Sequence, residues 1–122
     1  MSPEQVVGDR TIDARADVYA VGCLAYWMVT GELVFSGRTA IETLIHHTQT
    51  LPLPPSQRTE LAIPLLLDQL ILACLQKNAD DRPASADVLL ARLADIKTDA
   101  EWTPERSLQW WELRSPRKAP MA

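Results

Sequence analysis

Between Asp17 and Glu32 the chain carries no charged side chain. The intervening run, Val18-Tyr19-Ala20-Val21-Gly22-Cys23-Leu24-Ala25-Tyr26-Trp27-Met28-Val29-Thr30-Gly31, is 14 residues long. A bilayer-spanning helix needs about 20, so this run is too short to cross a membrane. A helix apolar on every face is expected to be buried on every face, at the centre of a domain. Asp17 is read as its N-terminal cap, where a carboxylate accepts from free backbone N–H groups and suits the positive end of the helix. Gly31 stands where a left-handed stop residue belongs. The expectation is one central helix with the rest of the chain wrapped around it.

The remaining segments read as further helices joined by loops. Pro3 at a first helical position allows a short turn over Glu4 to Val7, followed by polar loop from Gly8 to Asp13. Thr39-Ala40-Ile41-Glu42 fits a capping box, opening a helix to about Thr48 with Ile41, Leu44 and Ile45 on one face. Leu51-Pro52-Leu53-Pro54-Pro55-Ser56 is excluded from helix by its prolines. It reads as a surface loop, although proline-rich recognition ligands share its composition. Pro64 at a first helical position opens a second largely buried helix through Leu75, and Gln76 to Pro83 turns the chain. Ser85 caps a third helix carrying Val88, Leu89, Leu93 and Ile96 at helical spacing. Beyond polar Thr98 to Glu101, Thr103-Pro104-Glu105 starts a short helix bearing Trp110, Trp111 and Leu113. With Trp102 and Leu108 these rings are read as docking on the lobe, with a partner-binding surface as the alternative. The fold class is all-α, divided into 1–97 and a C-terminal extension, 98–122, with a frayed basic tail.

Four boxes carry a family resemblance. Asp17-Val18-Tyr19-Ala20-Val21-Gly22-Cys23 resembles the helix at the heart of the C-terminal lobe of serine/threonine protein kinases. Met1-Ser2-Pro3-Glu4-Gln5 resembles the Ala-Pro-Glu box closing the activation segment, with Ser2 for Ala. Thr30-Gly31-Glu32-Leu33-Val34-Phe35 resembles the Thr-Gly-x-x-Pro-Phe turn, with Val34 where proline is usual. Asp80-Asp81-Arg82-Pro83 resembles the loop whose Arg pairs with the Ala-Pro-Glu carboxylate. The four occur in family order, and the likeness runs to about Ile96, in the style of bacterial kinases of the eukaryotic type.

The resemblance implies a buried ion pair between Glu4 and Arg82, because a guanidinium can grip a carboxylate through two parallel hydrogen bonds. It also implies that Asp17 holds the backbone of the catalytic loop in an intact kinase. Such a kinase transfers the γ-phosphate of ATP to a protein hydroxyl, with magnesium. The Gly-rich loop, the phosphate-binding Lys, the His-Arg-Asp loop and the Asp-Phe-Gly residue belong to sequence that precedes the Ala-Pro-Glu box. This chain is therefore expected to be a C-lobe fragment with no catalytic, cofactor-binding or metal residue of its own. Its expected partners are the upstream kinase portion and, in the intact enzyme, a protein substrate. The alternative is a stand-alone, kinase-derived helical binding module.

Other chemistry finds little footing. His46 and His47 are neighbours on a helix, about 100° apart, so they cannot jointly ligate or relay, and they read as solvated. Ser2, Ser36 and Ser85 have no nucleophile setting. Cys23 and Cys74 lie in apolar helical runs and read as buried thiols, which favours a reducing compartment. A net charge of −4 gives no electrostatic reason to bind nucleic acid or an anionic membrane. No basic-then-apolar segment follows Met1, so no signal peptide is expected and the cytoplasm is the expected location.

Overall fold

A computed structural model describes residues 1–97 and 103–114. Six α-helices follow one another, with no strand among the described residues: α1 (Pro3–Val6), α2 (Arg15–Thr30), α3 (Ala40–Gln49), α4 (Leu65–Cys74), α5 (Ala86–Ala94) and α6 (Pro104–Arg114). The all-α expectation holds.

Local chemistry explains each boundary. Ser2 and Gln5 form a full capping box at α1: Ser2 Oγ accepts from the Gln5 N–H at 3.4 Å, and Gln5 Oε1 accepts from the Ser2 N–H at 2.9 Å. At α3, Thr39 Oγ accepts from the Glu42 N–H at 3.1 Å. The Glu42 carboxylate overshoots the cap and takes the Arg38 N–H at 3.3 Å, so the box expected there closes one residue early. Pro64 is the cap residue of α4 rather than its first helical residue. Ser85 caps α5 through the Val88 N–H at 3.2 Å. Gly31 ends α2 at φ 72°, a left-handed conformation that glycine adopts without steric cost, and its N–H reaches Trp27 O at 2.7 Å.

The start of α2 corrects the sequence reading. The helix begins at Arg15, so Asp17 is its third residue and caps nothing. Asp13 takes that task, its carboxylate accepting the Arg15 N–H at 2.9 Å. Asp17 is exposed, at the positive end of the helix, where its charge is still favourable.

Helix α2 is central, but it is not buried on every face. Tyr19 and Tyr26 are wholly buried, and α4 packs along them through Ile71 and Leu75, with Val34 and Phe35 closing that cluster. A second cluster joins Val18, Leu70, Cys74 and Leu89, which brings in α5. Gly22 is the contact point between α2 and α4; a Cβ there would lie 2.7 Å from Cys74 Cβ. Each large side chain so buried contributes about 1.5–3 kcal/mol. On the far side, Val21, Leu24, Trp27 and Met28 are 43–71% exposed. Among the described residues nothing covers that face.

On α3, Leu44 is half-buried while Ile41 and Ile45 are 72% and 48% exposed. One further expectation needs revising. The cap chemistry at Thr103 does open α6, with its side chain accepting the Arg106 N–H at 3.2 Å. Its apolar side chains are not docked, however: Leu108, Trp111 and Leu113 are 61%, 58% and 82% exposed. Trp110 instead stands edge-on to Trp111, with the Arg114 guanidinium over its ring. An eleven-residue helix with apolar residues scattered around its circumference has no single stripe to lay on a lobe. Trp102 lies outside the described residues.

Candidate functional site

A dense polar arrangement surrounds Arg82, in the turn between α4 and α5. Its side chain is fully buried, 78 positions along the chain from its partner Glu4. Arg82 Nη1 donates to Glu4 Oε2 at 2.7 Å and Nη2 donates to Glu4 Oε1 at 2.8 Å, the parallel two-bond grip. The remaining N–H groups go to backbone carbonyls: Nη1 to Arg15 O at 3.0 Å, Nε to Gln76 O at 2.8 Å, and Nη2 to Lys77 O at 3.2 Å. A guanidinium has five donors, and all five are satisfied. The guanidinium also lies over the Tyr19 ring, 4.9 Å from its centre. One side chain thereby joins α1, the start of α2 and the turn after α4. The Arg82 hydrogen bonds hold the Glu4 carboxyl down at about 2, against the raising effect of its partial burial.

Arg15 extends the junction outward. Its guanidinium pairs with Asp13 at 2.8 Å and also with Asp80, tying the loop before α2 to the turn after α4. This brace is exposed and contributes less than the buried pair. Asp17 stands apart from the junction and has no part in it.

The histidines are not simply solvated. His47 Nδ1 lies 2.8 Å from the Tyr19 hydroxyl, and Phe35 packs against both imidazoles with ring centres 5.1 and 5.9 Å away. Burial drives the His47 pKa down to about 4, so the ring is neutral at pH 7. The two rings share Phe35 but take different hydrogen-bond partners, His46 Nδ1 meeting the Thr50 hydroxyl at 2.8 Å. Neither joins a metal site: among the described residues no three His, Cys, Asp or Glu side chains are grouped to hold an ion. Cys23 and Cys74 are free thiols, the first half-buried and the second buried.

Sequence reasoning missed two cations that hold the loops. Lys77 Nζ donates to His46 O at 3.2 Å and His47 O at 2.9 Å, closing the C-terminal end of α3, and sits 4.6 Å from the centre of the Phe35 ring. Arg58 donates to Leu33 O at 2.8 Å and to the Tyr26 hydroxyl at 3.3 Å, while pairing with Glu32 at 2.7 Å. Both partners lie 24 or more positions away, and no local spacing announces them. Beside the junction opens a cleft of about 420 Å³ between α1, the following loop and the turn after α4, lined by Glu4, Asp9, Arg15, Lys77 and Asp80.

Comparison with known proteins identifies the family. A model of the protein kinase domain family matches residues 1–93. The chain is 36% identical to the serine/threonine-protein kinase PknB of Mycobacterium tuberculosis over 132 aligned residues, covering 99% of this chain and 21% of that protein. It is 42% identical over 96 residues to PknB of Mycobacterium leprae, covering 79% of this chain and 15% of that protein. Against the serine/threonine-protein kinase pkn3 of Myxococcus xanthus it is 42% identical over 97 residues, covering 79% of this chain and 18% of that protein. The chain thus spans about a fifth or less of the length of these relatives.

Proposed function

The chain belongs to the protein kinase domain family, and from that premise we propose that it is the helical base of a bacterial serine/threonine kinase lobe, serving phosphoryl transfer by orienting rather than by reacting. The observation that carries this reading is the buried two-bond pairing of Glu4 with Arg82. A segment that must present a peptide to a phosphate donor needs a fixed backbone. An arginine bonded to α1 and to three carbonyls of the helical base supplies one.

In the intact enzyme the reaction is transfer of the ATP γ-phosphate to a serine or threonine hydroxyl of a protein, with magnesium. The described residues do not fit either group. No set of acids here is placed to hold a metal, and the acids near the junction are engaged with Arg82, Arg15 and Thr11. No step is therefore assigned to this chain. ATP, magnesium and the proton-accepting Asp belong to the portion of the domain that precedes the Ala-Pro-Glu-like box. Asp17, exposed at the first turn of α2, is free to hold the backbone of that portion's catalytic loop.

The open face of α2 supports the same assignment. Val21, Leu24 and Met28 recur at helical spacing beside a groove lined by Ala25, Leu67, Leu70, Leu89 and Leu93, without a polar wall. Supplying the upstream part of a relative's kinase domain as a separate chain should give a stoichiometric complex with a higher unfolding temperature. If the two chains stay separate at concentrations where each is folded, the proposal fails.

A further inference from the structure

We propose that Lys77 is an acylation site, reached by small activated acyl donors through the cleft beside the Glu4–Arg82 junction, and that its modification frees the C-terminal end of α3. Lys77 and Thr48, the residue after the His47 carbonyl that Nζ bonds, both line a cleft of about 420 Å³, roomy enough for a short acyl group and its leaving atom. Among the described residues no carboxylate pairs with it; its contacts are the His46 and His47 carbonyls and the Phe35 face. An ammonium held this way has given up water without gaining a counter-ion, and the buried Arg82 cation lies in the same turn. Burial first, and that charge in addition, bring the Lys77 pKa down to about 8. A sizeable neutral fraction is thus present near neutral pH.

The donor is a thioester or an acyl phosphate. The amine lone pair attacks the carbonyl carbon, the C–N bond forms as the C–S or C–O bond breaks, and the thiolate or phosphate leaves with the electron pair. The proton lost by nitrogen goes to solvent. Glu4 and Asp80 are paired with Arg82 and Arg15, which leaves Asp9 as the acid in the wall that favours the uncharged donor. The resulting amide carries one N–H and no charge. It can serve only one of the two α3 carbonyls and loses its attraction to the Phe35 ring. The inference stands independently of the kinase reading, since it rests on the amine and its cleft alone.

The test is reaction of the 122-residue chain with a neutral S-acetyl thioester and, in parallel, with acetyl phosphate, mapped by peptide mass spectrometry. Lys97, exposed on the surface, is the internal reference. A larger neutral fraction, partly offset by weaker basicity, gives an expected rate advantage for Lys77 of about fivefold near pH 8. The advantage should vanish in urea, and the thioester should outpace the phosphate. Hydrogen exchange should then show faster amides in the last turn of α3, with α4 unchanged. Equal rates at Lys77 and Lys97 in the folded chain overturn the site. Acylation that leaves α3 protection unaltered overturns its consequence.

Discussion

Replacing Glu4 by Gln tests the junction most sharply, because it removes one charge and almost no volume. The Arg82 side chain is fully buried, while that of Glu4 is 14% exposed. A Gln retains one carbonyl oxygen for one of the two Arg82 bonds and turns its amide N–H₂ towards the other donor. Arg82 is then a buried cation without a counter-charge, and removing one partner of such a pair costs about 3–5 kcal/mol. An independent route gives a similar size. The carboxyl drops from 4.5 to about 2 on folding, and at about 1.4 kcal/mol per unit this is about 3 kcal/mol. The sign follows from proton binding: between these values the folded chain binds fewer protons than the unfolded one, so stability falls as pH falls. The contribution is complete above pH 4.5 and is lost as pH drops through about 2. Urea denaturation of both proteins at several pH values measures it. A loss under about 1 kcal/mol near neutral pH, or an unchanged acid slope in the variant, would refute the reasoning.

Three other outcomes follow from particular contacts. Gly22→Ala places a methyl 2.7 Å from Cys74 Cβ and 3.1 Å from a Leu75 methyl, and should cost about 1–3 kcal/mol by urea melt. His47, kept neutral by burial down to about pH 4, takes up its proton in the unfolded chain from 6.5 downward, so the folded chain loses stability as pH falls across that window; His47→Gln should flatten the slope there. Trp111→Ala should change stability by no more than about 0.5 kcal/mol, because its ring is 58% exposed; a loss several times larger would mean the ring is docked after all.

The fold was legible where the information is local. Ser85, Gly31 and Thr39 each act within three or four residues of their own position, and each does what its side chain or backbone predicts. Asp17 misled because Asp13, a better-placed acceptor, lies four positions earlier, and a charge count cannot rank two carboxylates before one helix. The apolar run of α2 promised burial on all sides. Composition says what a helix must cover, not whether its cover lies in the same stretch of chain. The pairing of Glu4 with Arg82 came from the family boxes alone, since two charges 78 residues apart carry no signal of their own. Lys77 and His47 were read by type, as turn and solvent residues. Their true setting depends on Phe35 and Tyr19, which arrive from other elements.

The central claim is that this chain orients a kinase lobe without performing the transfer. Homogeneous chain, radiolabelled ATP, magnesium and a generic basic protein substrate test it directly. The account predicts incorporation no higher than in a reaction without the chain. Magnesium-dependent labelling above that background, abolished by Asp17→Ala, would contradict it.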